Sequence, residues 1–221
     1  MKVVEIFKSI EGEGVRAGLP VTFVRLYGCN LRCEYCDTKY SYDEANEKNP
    51  YPYTVMTAAE IVKAVMEREC PNVTITGGEP LIHPGIEKLI DLLLFVGCEV
   101  NIETNGTRPV PYKYKDEKRI IFTMDYKCPG SGMNDKMERY CFETLRDWDV
   151  LKFVVSDEKD LDKMIEVLET LEATPSVFVS PVFDKIKPTQ IVEYVLNHHL
   201  HDVRVQLQLH KFIWDPDKRG V

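Results

Sequence analysis

Short runs of β-branched and apolar residues alternate along the chain with longer amphipathic segments. VTFVRLY (21–27), NVTIT (72–76), EVNIET (99–104), RIIFTMD (119–125), LKFVVS (151–156), SVFVSPV (176–182) and VRVQLQL (203–209) have the length and residue types of strands. Between them, Thr57 and Glu60 make a capping box ahead of IVKAVM, and Pro84 opens a helix that runs through LLLF to Gly97. Leu161, Met164, Ile165, Leu168 and Leu171 mark the apolar face of a third helix, and Ile191, Val192, Val195 and Leu196 that of a fourth. Strands alternating with helices predict an α/β protein with a largely parallel sheet.

A complete eight-fold βα barrel takes about 250 residues. At 221 residues, with the irregular stretch from Thr38 to Val55 to accommodate, the pattern predicts an open, partial barrel of about six parallel strands. Neither a repeat nor a low-complexity linker marks a boundary, so one domain over residues 1–221 is expected. The acidic, aromatic segment YSYDEANEKNPYPY (40–53) is expected as a loop or small insertion.

Composition and charge narrow the function. A hydrophobic content of 44% with 29% charged residues suits a globular chain that folds by itself. The formal net charge is -8 and no basic run interleaves with aromatics, which argues against a nucleic-acid surface and points to a small-molecule partner. MKVVEIFKSIEGEG is broken by Glu5, Lys8 and Glu11, unlike a signal peptide, and LIDLLLFVGCEV is too short to span a bilayer. No membrane partner and a cytoplasmic location are therefore expected, where seven cysteines read as ligands, catalytic groups or core thiols and not as a disulfide framework.

Cys29, Cys33 and Cys36 lie in YGCNLRCEYCDT, directly after the first strand candidate, where such folds place their chemistry. A closed zinc site takes four ligands, and no second Cys or His pair sits at finger spacing. Three thiolates on one loop suit an iron-sulfur cluster with one iron left for a ligand that is not protein. Zinc, a thiol redox motif and incidental core thiols are the competing readings. Cys70, Cys98, Cys128 and Cys141 are widely spaced and expected as core or peripheral thiols, and His198, His199 and His201 fall at the end of a helix, where a histidine is favourable without any metal.

The C-x3-C-x2-C loop, TGGEP (76–80) and ETNG (103–106) resemble the radical S-adenosylmethionine superfamily. SIEGEG (9–14), VRLYGCNLRCEYCDT (24–38), TITGGEP (74–80), DYKCPGSGM (125–133) and QLHK (208–211) resemble, within it, the 7-carboxy-7-deazaguanine synthase family. The resemblance implies radical ring contraction of 6-carboxy-5,6,7,8-tetrahydropterin to 7-carboxy-7-deazaguanine with loss of ammonia, in the 7-deazapurine branch leading to queuosine. Such a lyase uses S-adenosylmethionine catalytically. The rival readings are a glycyl-radical-enzyme activase and a non-enzymatic iron-sulfur or zinc module.

By the same resemblance Cys29, Cys33 and Cys36 hold a 4Fe-4S cluster whose open iron chelates S-adenosylmethionine, and Thr38 helps bind Mg2+. Tyr35, Cys36, Asp37, Gly78, Glu103, Asn105, Asp125, Tyr126, Lys127, Ser180 and Pro181 line the cofactor. Ile10, Glu11, Gly12, Arg25 and Thr76 are the substrate candidates, and His210 with Lys211 closes over the substrate. Independently of the family, Arg25 lies among apolar strand residues, where burial without a partner is costly, and the substrate that the resemblance implies carries a carboxylate that a guanidinium can bind through two hydrogen bonds. A flavodoxin or ferredoxin as electron donor and a homodimer are also implied.

Overall fold

A computed structural model describes residues 1–46, 50, 52–216 and 218–221. Its elements are β1 (Lys2–Ile10), β2 (Pro20–Leu26), β3 (Thr54–Val55), α1 (Ala58–Met66), β4 (Asn72–Gly77), α2 (Ile86–Phe95), β5 (Glu99–Thr104) and β6 (Ile120–Tyr126). After these come α3 (Arg139–Phe142), β7 (Val150–Val155), α4 (Glu158–Thr170), β8 (Ser176–Pro181), α5 (Pro188–Asn197), β9 (Val203–Val205) and α6 (His210–Ile213). One sheet runs in the order β3-β1-β2-β4-β5-β6-β7-β8-β9. Each neighbouring pair from β2 to β9 is parallel, whereas β1 pairs antiparallel with both β2 and β3.

The parallel sheet is the expected open βα arrangement. Each of the seven strand candidates lies on one of β2 and β4 to β9, although β9 keeps only three residues in its ladder. The barrel therefore has six full parallel strands and a short seventh. The hairpin partner β1 adds a strand that the apolar pattern did not indicate, because a register irregularity between Val3 and Glu5 interrupts its alternation. Part of the 40–53 loop segment, residues 47–49 and 51, lies outside the described residues.

Helix starts follow the local chemistry. Thr57 accepts from the Glu60 amide and the Glu60 carboxylate returns the bond to the Thr57 amide at 2.7 Å, so the capping box opens α1. Asp157 caps α4 by accepting from the Asp160 amide. The buried face of α5 differs from expectation. Ile191, Tyr194 and Val195 are buried, while Val192 and Leu196 are 41% and 67% exposed, because the Tyr194 ring packs inward and its hydroxyl reaches Asp162 at 2.6 Å.

Strand parity divides the sheet into two faces of different character. Val24, Leu26, Val73, Ile75, Val100, Ile102, Phe122, Met124, Phe153 and Val179 share one core with Ile61, Leu89, Leu93, Met164 and Ile191 of the helices. The alternate positions carry Arg25, Thr74, Thr76, Asn101, Glu103, Thr123, Asp125, Lys152 and Ser180. Side chains alternate sides along a strand, so these residues line the face away from the helices. That inner face is polar and mostly buried, which makes it the place to look for chemistry.

Candidate active site

The cysteine loop leaves β2 at the C-terminal end of the parallel strands. Cys29, Cys33 and Cys36 are all partly exposed and unpaired. Cys29 Sγ accepts from the Leu31 amide at 3.4 Å and from Asn105 Nδ2 at 3.6 Å, and Asn105 also bonds Asn30 at 2.9 Å. The tip of β5 is thereby tied to the start of the loop. Burial pushes the Cys29 and Cys33 thiols up, and the Lys127 ammonium acts in the opposite direction on both. A buried cation beside three thiols suits an anionic centre.

Two glycines let the loop approach. A methyl group on Gly78 would lie 1.9 Å from the Gly28 carbonyl oxygen, and one on Gly77 2.1 Å from that of Leu26. The space beside Gly78 is thus already required by the backbone of the cysteine loop. Glu79, fully buried, accepts from the Leu81 amide at 2.8 Å, the Thr104 hydroxyl at 2.7 Å and the Asn105 amide at 2.6 Å. It holds the end of β4 to the end of β5.

Below the loop lies a chain of charges. Lys127 Nζ is 2.8 Å from Asp125 Oδ2, and Lys152 Nζ is 3.2 Å from Asp125 Oδ1 and 3.1 Å from Glu13 Oε2. Burial alone would raise the Asp125 carboxyl, but the two ammonium groups hold it below its ordinary value. Glu103 accepts from Thr76 at 2.7 Å, and burial raises its carboxyl. Ser180 Oγ is buried with no hydrogen-bond partner among the described residues, an orphan hydroxyl that a polar ligand would satisfy.

At the other wall Arg25 sits opposite Glu5 in the hairpin register, with Nε 2.7 Å from Glu5 Oε1 and the guanidinium near the rings of Phe7 and Tyr40. Its terminal nitrogens make no hydrogen bond among the described residues, which leaves an edge suited to a carboxylate. The tail joins the first loop across the gap between the ends of the sheet. Gln206 bonds both polar backbone atoms of Gly14, the Leu209 amide donates to the Gly12 carbonyl at 3.2 Å, and Gln208 reaches Glu13 at 3.2 Å. His210 lies over Gly12, where an added methyl would meet its ring at 2.7 Å, and Lys211 pairs with Asp37 at 3.4 Å.

The residues expected from the sequence fall in two groups. The cysteine loop with Tyr35, Asp37 and Thr38, Gly78, Glu103, Asn105, Asp125, Lys127 and Ser180 lies at or near the C-terminal ends of the parallel strands, with Arg25 and Thr76 paired in register beside it. Ile10, by contrast, ends β1 opposite Pro20 at the other end of β2 and leads into Glu11 and Gly12, Glu11 reaching Thr74 within the sheet. Two side chains point elsewhere. Tyr126 packs at a tilt against Phe142 and Phe153 in the helix-facing core, and Pro181 has the same parity as Val179, so only their backbone faces the rim. Thr38 donates to Asp37 at 2.8 Å, giving adjacent oxygen donors of the kind Mg2+ prefers. Sequence reasoning did not single out Lys152, Glu13, Glu79 or Glu5; a lysine within the apolar strand LKFVVS was the available signal for the first.

Cys70, Cys98, Cys128 and Cys141 are buried, as expected of core thiols. His198 bonds the Tyr194 carbonyl at 2.9 Å at the end of α5. Among the described residues no three His, Cys, Asp or Glu side chains converge as ligands of a single ion do. Three cysteines on one short loop suit a 4Fe-4S cluster, which takes its cysteines on different irons.

A sequence profile of the radical SAM superfamily matches residues 23–171. A 7-carboxy-7-deazaguanine synthase of Clostridium acetobutylicum is 45% identical over 100% of this chain and 99% of its own, and one of Methanospirillum hungatei is 37% identical over 98% and 86%. The crystal structure of QueE from Escherichia coli superposes with a TM-score of 0.75 at 24% identity, covering 95% of this chain and 94% of that one, which supports the same fold. The chain belongs to the radical SAM superfamily and, within it, to the 7-carboxy-7-deazaguanine synthase family. A 4Fe-4S cluster and S-adenosylmethionine are the cofactors of that class. No helix among the described residues is long and apolar enough to cross a membrane.

Proposed function

We propose that the chain converts 6-carboxy-5,6,7,8-tetrahydropterin to 7-carboxy-7-deazaguanine with loss of ammonia, as a lyase of 7-deazapurine and queuosine biosynthesis. The observation that carries this reading is a three-thiol loop set over a polar inner face on which β2, the strand leading into the loop, presents the open edge of Arg25. When bound, the cluster and S-adenosylmethionine supply an electron and a hydrogen-abstracting radical, and S-adenosylmethionine acts catalytically. Cys29, Cys33 and Cys36 hold the cluster. Gly78, Glu103, Asn105, Asp125, Lys127 and Ser180 bind and orient the cofactor with Tyr35 and Asp37, and Tyr126 and Pro181 contribute backbone. Ile10, Glu11, Gly12 and Thr76 bind the substrate beside Arg25, and Thr38 holds Mg2+. His210 and Lys211 close the site, which limits access of water to the reacting groups.

The chain acts as one domain over residues 1–221, in the cytoplasm, as a homodimer reduced by a flavodoxin or ferredoxin. The decisive experiment is anaerobic product analysis by mass spectrometry, with reconstituted protein, reductant, S-adenosylmethionine, Mg2+ and the carboxypterin. Product with little accumulated deoxyadenosine is expected. No product from protein carrying a verified, reducible cluster would overturn the substrate assignment. Arg25→Ala is expected to weaken substrate binding while leaving S-adenosylmethionine binding intact.

A further inference from the structure

The buried and half-buried acids around the inner face differ in how their charge is met. Glu5 is paired with Arg25, Glu13 with Lys152, and Asp125 with both Lys127 and Lys152. Glu79 receives two amides and a hydroxyl. Glu11, only 2% exposed, has none of this: its carboxyl forms no ion pair among the described residues, and its one hydrogen-bond partner is the Thr74 hydroxyl at 2.5 Å. An isolated carboxylate in such surroundings is costly, and protonation is the usual escape.

The charged groups around it favour the same outcome. Glu103 from β5 and Glu13 from its own loop are both acidic. Arg16 opposes them, but its guanidinium is directed to the Glu99 carbonyl at 3.4 and 3.5 Å. Lys152 of β7 is engaged by Glu13 and Asp125, and burial lowers the pKa of His210, which lies over the neighbouring Gly12. Burial and the Glu103 charge together push the Glu11 carboxyl up to about 8. Thr74 is fully buried and has no other acceptor among the described residues, so its hydroxyl donates to Glu11 Oε2. That leaves the acid proton to Oε1.

We infer that Glu11 meets its ligand as a neutral carboxylic acid, donating a hydrogen bond to a carbonyl oxygen or ring nitrogen of the heterocyclic substrate. A neutral group here also spares the substrate carboxylate from a further negative charge beside Glu13 and Glu103. The ligand half of this inference rests on the function proposed above; the protonation half does not.

Two measurements separate those halves. Infrared difference spectra of the ligand-free protein between about pH 7 and about pH 9 are expected to show loss of a protonated carboxyl band that Glu11→Gln lacks; without that band the inference fails whatever the substrate. Binding of 6-carboxytetrahydropterin is then titrated in the anaerobic holoenzyme with S-adenosylmethionine and an oxidised cluster, so that no turnover occurs. Affinity is expected to hold below about pH 8 and to weaken about tenfold one unit above it, as the competent fraction falls. Glu11→Gln, a permanently neutral isostere, is expected to stay within about threefold of the parent protein near neutral pH and to lose the alkaline decline. If Glu11→Gln binds as poorly as Glu11→Ala, or keeps the decline, the donor role is refuted. If the parent protein shows the infrared band but no affinity for the pterin at any pH, the proposed substrate is wrong and with it the ligand half, while the protonation of Glu11 stands.

Discussion

Replacing Gly78 by alanine tests how the sheet positions the cysteine loop. The added methyl would lie 1.9 Å from the Gly28 carbonyl oxygen, 2.3 Å from its carbon and 2.9 Å from the Cys29 amide nitrogen, all of them backbone atoms. Relief to 3.0 Å requires the loop to move by about 1.1 Å. A shift of that size breaks the 2.8 Å bond from the Glu79 amide to the Gly28 carbonyl. Overpacking costs about 1–3 kcal/mol and the hydrogen bond about 1 kcal/mol. Restricting the unfolded chain returns only about 0.4–1 kcal/mol. A net loss of about 1–4 kcal/mol is expected, measured by urea denaturation of the cluster-free protein. Because the displaced atoms lead straight into Cys29, reconstituted iron per chain should fall as well. Stability within about 0.5 kcal/mol of the parent with full iron content would refute the reasoning, since it would mean that the contact is absent or soft.

Cys33→Ala should abolish the visible absorbance of the reconstituted cluster while leaving far-ultraviolet circular dichroism unchanged, because the loop adds little to the core. Glu79→Ala leaves two amides and a hydroxyl without their acceptor and should cost about 3–6 kcal/mol by denaturation, at about 1–3 kcal/mol each with partial relief by water. Lys152→Met strands Glu13, while Asp125 keeps Lys127, and should cost about 3–5 kcal/mol; adding Glu13→Gln should recover part of it, and strict additivity would argue against the buried pair. The raised Glu11 carboxyl contributes stability that is complete below its unfolded value near 4.5 and is lost as pH rises through about 8. Glu11→Gln should therefore flatten that decline in thermal melts, and an unchanged slope would count against a neutral Glu11.

The sequence carried the parallel sheet and the cysteine loop because both are local signals: apolar runs of strand length, and thiols within eight residues of one another. It did not carry β1, whose alternation is interrupted near Glu5, nor β3, α3 and α6, which span four residues or fewer. The charge network was hidden for a different reason. Lys152 and Glu13 are 139 positions apart, and each is solvated by default until the fold brings them together. A trace of it was nevertheless present. Parallel strands covered on both faces usually read as continuous apolar runs. Here NVTIT and EVNIET alternate, with Thr74, Thr76, Asn101 and Glu103 at every second position, and LKFVVS carries Lys152 among apolar residues. A barrel filled with side chains would leave those polar groups unsatisfied, so the alternation itself argues for an interior shared with a polar ligand. Arg25 and Lys152, each enclosed by apolar neighbours in sequence, follow from the same argument: a strand tolerates a buried cation only where the inner face supplies the acid that meets it, as Glu5 and Glu13 do.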